Sequence, residues 1–128
     1  MAFAAIEKAV VWEGSTPVLM ARVVGSNNIA IKQADLNNVD YRVDEAGTQI
    51  VDTTALTIAD VIFDTLQTTA DDAAWTRDST GYNFKHQLAA ADLPDGDTTY
   101  LVQFRFKDAA NLPSYVVFEL KTKEQFFD

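Results

Sequence analysis

A hydropathy period of two recurs along this chain and restricts it to strands with one buried face. Val39, Tyr41 and Val43 alternate with Asp40, Arg42 and Asp44. Tyr82, Phe84, His86 and Leu88 alternate with Asn83, Lys85 and Gln87, and Tyr100, Val102, Phe104 and Phe106 alternate with Leu101, Gln103, Arg105 and Lys107. Val116, Phe118 and Leu120 alternate with Val117, Glu119 and Lys121, after a Leu112-Pro113 stop. In each case the apolar set faces a core and the polar set faces water.

Turn formers punctuate these runs. Pro17 to Val24 is strand-length and apolar, and Gly25-Ser26-Asn27-Asn28 ends it. Asp44-Glu45-Ala46-Gly47 separates the Val39 strand from Thr48 to Val51, predicting a hairpin with Gly47 at positive φ. Leu56 to Ile58 and Val61 to Phe63 are short β-prone pieces, and 60–75 reads as a connection with a short helix. Leu93-Pro94-Asp95-Gly96-Asp97-Thr98-Thr99-Tyr100 runs straight into an alternating strand, like the tyrosine corner of immunoglobulin and fibronectin domains. The pattern predicts an all-β fold, an immunoglobulin/fibronectin-like antiparallel β-sandwich of about seven strands. The expected layout is an N-terminal arm over 1–15, one sandwich over 16–122 and a C-terminal tail over 123–128.

The chain's 128 residues suit one core. Its 19 acidic and 10 basic residues leave a net charge of -9, which repels phosphate backbones and anionic lipid, so neither nucleic acid nor a membrane is the expected partner. With no cysteine, disulfides, thiolate catalysis and Cys-based zinc sites are excluded. The opening Ala2 to Ile6 stretch lacks a preceding basic residue and is interrupted by Glu7, unlike a signal peptide. No apolar run approaches the length that spans a bilayer.

Few residues invite chemistry. His86 is the only histidine and lies on a core face, where a hydrogen-bonded histidine at the edge of the core is the expectation. No serine sits on a glycine-bracketed elbow and no phosphate-cradling glycine motif occurs, so the chain is expected not to be an enzyme and to need no cofactor. Asp92, Asp95 and Asp97 share one loop and are the only, weak, candidates for a cation site, since Asp and Gly are favoured in turns in any case. Trp75 is expected to cap the core. Phe3, Trp12, Phe126 and Phe127 lie in the terminal segments and are the candidate partner-binding residues.

The segments Pro17 to Val24, Ile29 to Leu36, Val39 to Val43, Asp60 to Gln67, Trp75 to His86 and Tyr100 to Phe106 together resemble small proteins encoded among the structural genes of tailed bacteriophages. The resemblance covers roughly residues 17 to 120 and implies an immunoglobulin-like virion component, assembled in the bacterial cytoplasm, with no catalytic residues. It implies contact with other virion proteins, such as a major capsid protein or neck and tail subunits, in a homo-oligomer or symmetric array. Capsid decoration is the leading expectation because an acidic surface suits the outside of a shell. The alternatives are a neck, tail or baseplate accessory, or a host-adhesion module in which Trp75, Tyr82 or loop aspartates contact a glycan.

Overall fold

The computed structural model describes residues 5–25 and 28–125. Two sheets face each other. The larger has the order β1 (Ala5–Trp12), β8 (Pro113–Lys123), β7 (Thr99–Asp108), β3 (Leu36–Glu45), β4 (Thr48–Leu56). The smaller has the order β2 (Val18–Ala21), β6 (Tyr82–Gln87), β5 (Ile62–Gln67). A single helical turn, α1 (Ile58–Val61), carries the chain from β4 in the first sheet to β5 in the second. This is the immunoglobulin arrangement, with β2, β6 and β5 opposite β8, β7 and β3, and β4 added at one edge of the larger sheet.

Apart from Asn83, which is buried beneath a loop, the alternating residues of β3, β6, β7 and β8 point largely as expected. Val39, Tyr41, Val43, Val102, Phe104, Phe106, Val116, Phe118 and Leu120 meet Leu19, Ala21, Phe84 and Leu88 in one core. Phe104 is its centre: its ring lies 4.7 Å from Phe84, 5.5 Å from Tyr41 and 5.7 Å from Phe118, in mostly edge-to-face contacts. Ala46 and Gly47, both at positive φ, close the β3–β4 hairpin with a two-residue turn whose twist matches that of the strands. Gly81 enters β6 at φ +103, where any Cβ would collide with the Gln67 carbonyl.

Three expectations need correction. The segment expected to be a free arm is largely β1, paired in parallel with β8 from Ala5↔Val116 to Trp12↔Lys123. An eighth strand therefore joins the sandwich, and Val11 packs against its core. A parallel partner more than a hundred residues away leaves no local turn signal, which is why the segment reads as unattached. Lys123, assigned to the tail, ends β8. The helix expected within 60–75 is the short α1, which overlaps only the first two residues of that segment, while the Ala70 to Ala74 stretch is a hydrogen-bonded turn, with the Asp71 and Asp72 amides donating to the Thr68 carbonyl.

The tyrosine corner is present. The Asp95 amide donates to Tyr100 Oη at 2.7 Å, and the buried Thr122 hydroxyl donates to the Asp95 carbonyl at 2.6 Å, tying the crossing loop to both β7 and β8. Burial, opposed by the hydrogen bond from the Asp95 amide and helped by Glu45, pushes the Tyr100 phenol up to about 12. Tyr100→Phe leaves the Asp95 amide without its acceptor. The expected loss is about 1–2 kcal/mol in denaturant unfolding, and an unchanged midpoint would refute the role assigned to this hydroxyl.

Candidate interaction surface

Register determines what the outer face of the larger sheet displays. Across β1, β8 and β7 the outward rows read Lys8, Glu119, Leu101; then Val10, Lys121, Thr99; then Trp12 beside Lys123. Val10 is 61% exposed, Trp12 50% and Leu101 42%, so a tryptophan and two aliphatic side chains stand in water on one corner of a rigid sheet. The Trp12 end is fixed as well as displayed. Ser15 Oγ donates to the Trp12 carbonyl at 2.6 Å, and the Glu13 amide donates to the Lys123 carbonyl at 3.0 Å.

Several basic residues of this acidic chain are engaged in ion pairs. Arg22 pairs with Asp78, Arg42 with Asp44, Lys85 with Asp72, and Arg105 grips Asp40 through two hydrogen bonds of 2.9 and 2.6 Å. Among the described residues, no ion pair engages Lys8, Lys121 or Lys123. Three lysines without an ion pair, with Glu119 among them, therefore surround the exposed apolar corner, which suits a partner that is both apolar and acidic. Farther along the same face, Asp40, Arg42, Thr53, Gln103, Arg105 and Tyr115 line a shallow polar groove of about 200 Å³. Its charges already neutralise one another, so it offers less to a charged partner.

Of the partner-binding residues named from the sequence, Trp12 is on this corner, whereas Phe3, Phe126 and Phe127 lie outside the described residues. Val10, Leu101 and the three lysines were missed. Leu101 was nevertheless legible, since it occupies an outward position of an alternating strand.

The other candidates resolve into structural roles. Trp75 is buried as expected, with its ring 5.3 Å from Tyr82 and its Nε1 donating to the Asp78 carbonyl at 3.0 Å. Tyr82 is buried too, so neither ring is a platform on which a sugar could stack. Arg22–Asp78 and Lys85–Asp72 clamp the loop that carries Trp75 to the smaller sheet. Asp92, Asp95 and Asp97 do not converge: among the described residues no three His, Asp or Glu side chains group as metal ligands. Asp92 is buried and accepts from the Ala89 amide at 3.0 Å and from Tyr41 Oη at 3.2 Å, which closes a single 3-10 turn over Ala90–Asp92. Asp95 serves the corner through its backbone, and Asp97 adopts positive φ in the turn before β7.

His86 is half-buried, with its ring 5.3 Å from Tyr41 and 5.7 Å from Phe104. Among the described residues no side-chain hydrogen bond joins it to a hydroxyl or carboxylate, so the geometry of an activated nucleophile is not built around it. Burial lowers its pKa below 6.5, with the Asp92 charge opposing that shift. Between the depressed folded value and 6.5 the unfolded chain binds more protons. Stability is therefore complete above that window and falls as pH drops through it. His86→Gln is expected to flatten this part of the stability–pH profile, measured by urea unfolding between about pH 5 and 7; an unaltered slope would assign it to other groups.

No protein-family model matches the sequence, and no curated protein is significantly similar to it. The fold and the surface define the class: an all-β, immunoglobulin-type sandwich with a basic, apolar corner on its larger sheet.

Proposed function

We propose that this chain is a non-enzymatic structural protein of a tailed-phage particle, a capsid decoration module that docks onto other virion subunits. The observation that carries the reading is the corner formed by Val10, Trp12 and Leu101 amid Lys8, Lys121 and Lys123, an arrangement of contact residues on a sheet that needs no rearrangement to bind. The bacteriophage-like sequence pattern supplies the setting, and the net charge of -9 suits an outward-facing position. Aromatic side chains in such positions commonly dominate binding energy.

The test is made on purified particles whose genome encodes the chain. Quantitative mass spectrometry is expected to find it at many copies per particle, and a reconstruction to place it on the head; density at the neck, tail or baseplate would make it an accessory of those parts. Absence from the particle would overturn the proposal altogether. Trp12→Ala is expected to weaken attachment on the order of 10- to 100-fold, while the free domain keeps its thermal midpoint to within a few degrees.

A further inference from the structure

We infer that copies of this chain join side by side, β4 of one copy adding to β1 of the next, so that the larger sheet continues from molecule to molecule. Three observations carry this. Both outer strands of that sheet, β1 and β4, are edges, with no further strand paired to them among the described residues. An unpaired edge offers a row of backbone donors and acceptors to another strand. β4 is nine residues long and almost wholly exposed on both faces, because the three-stranded sheet does not extend over it. Its sequence, TQIVDTTAL, has neither the lysine nor the proline that commonly blunts an edge, and it displays Ile50.

The directions agree as well. β1 is parallel to β8, and β8–β7, β7–β3 and β3–β4 are each antiparallel, so β1 and β4 run in opposite directions within one molecule. Copies related by simple repetition along the sheet therefore bring β4 and β1 together antiparallel, the more stable ladder. Such an interface is heterologous and leaves a free edge at each end, so it propagates until the sheet's twist closes a ring or the chain of copies ends.

Charge selects the partner edge. β4 carries no Lys or Arg and one charged residue, Asp52. At the opposite edge β1 carries Lys8, and Lys121 and Lys123 stand on β8, one strand in, with no ion pair among the described residues. An acidic edge thus meets a basic one in the front-to-back arrangement. A β1–β1 pairing would bring the two copies' Lys8 to one seam, and a β4–β4 pairing their Asp52. The register irregularities of β4 around Tyr41 and Val43 shorten the straight stretch available. The contact is consequently small, and a single one is weak, whereas many on a common surface reinforce one another.

The absence of cysteine allows a direct test in solution. Val10→Cys and Thr53→Cys proteins, each prepared alone and then mixed, are treated with a short bis-maleimide at protein concentrations up to about 1 mM, in the range where weak contacts populate. The expected result is a mixed dimer in several-fold excess over either homodimer, reduced several-fold by Lys121→Glu or by high salt. Homodimers in excess, or no cross-linked product at any concentration, would overturn the inference. Sedimentation of the unmodified chain provides the second readout: an average mass that rises with concentration supports the inference, and a monomer throughout defeats it. Neither measurement involves particles, so a chain that attaches to virions but stays monomeric would refute this inference and leave the proposed function standing.

Discussion

Phe104→Ala is expected to lower stability by about 3–5 kcal/mol, whereas Arg105→Ala, one residue along the same strand, lowers it by about 1 kcal/mol or less. Phe104 is fully buried and touches the rings of Tyr41, Phe84, His86 and Phe118, so truncation removes contacts on both sheets at once. The neighbouring strands are fixed by their ladders and collapse only partly into the space. Arg105 faces outward, and although it holds Asp40 through two hydrogen bonds, its side chain remains 34% exposed and its charge is solvated without that partner. Equal losses for the two variants in denaturant unfolding would mean that the inward and outward faces of β7 have been exchanged.

Asn83→Ala is expected to cost about as much, on the order of 3–5 kcal/mol, for a different reason. Asn83 is 1% exposed, at the point where the loop between β2 and β3 passes the smaller sheet. Its Oδ1 accepts from the Val23 amide at 2.7 Å, and its Nδ2 donates to the carbonyls of Val23 and Ile31, both at 2.9 Å. One side chain thus bonds three buried backbone groups, two of which, the Val23 amide and the Ile31 carbonyl, gain from it the partner that no strand ladder supplies. Alanine leaves the Val23 amide and the Ile31 carbonyl unsatisfied, each at roughly 1–3 kcal/mol before relaxation, while the Val23 carbonyl keeps the Ile31 amide at 3.0 Å. Asn83→Asp retains the acceptor but sets a carboxylate against two carbonyls, and is expected to be worse than alanine. A loss below about 1 kcal/mol for Asn83→Ala would show that the loop finds other partners or water.

Asn83 also marks where period-two reasoning stops working. As an outward position of an alternating strand it reads as solvated, yet it serves the backbone of a loop that folds over that face; which loop covers which strand is tertiary information. The inward faces of β3, β7 and β8 were legible because each alternates over several residues with charges on one side. The hairpin at Gly47 and the corner at Tyr100 were legible because local backbone chemistry demands those residues. β1 was not. Its residues 8–12, KAVVW, have no strict alternation and no turn to a neighbour, and the strand is recruited by an edge that exists only once β8 has folded. The contact corner shares that difficulty: Trp12 stood out by its type, but Lys8, Leu101 and Lys121 become neighbours only through the register of three strands.

The parallel pairing of β1 with β8 also determines how the domain bears a pull. Ala5 lies opposite Val116 and Trp12 opposite Lys123, so the chain enters this pair at one end of the sandwich and leaves it at the other. Tension applied between the two ends of the chain therefore runs along the strands and loads the hydrogen bonds between them together, in shear, instead of opening them one by one as in a hairpin pulled at its mouth. Rupture then requires many bonds to fail nearly simultaneously, and the rate of forced unfolding, not the equilibrium free energy, sets the lifetime under load.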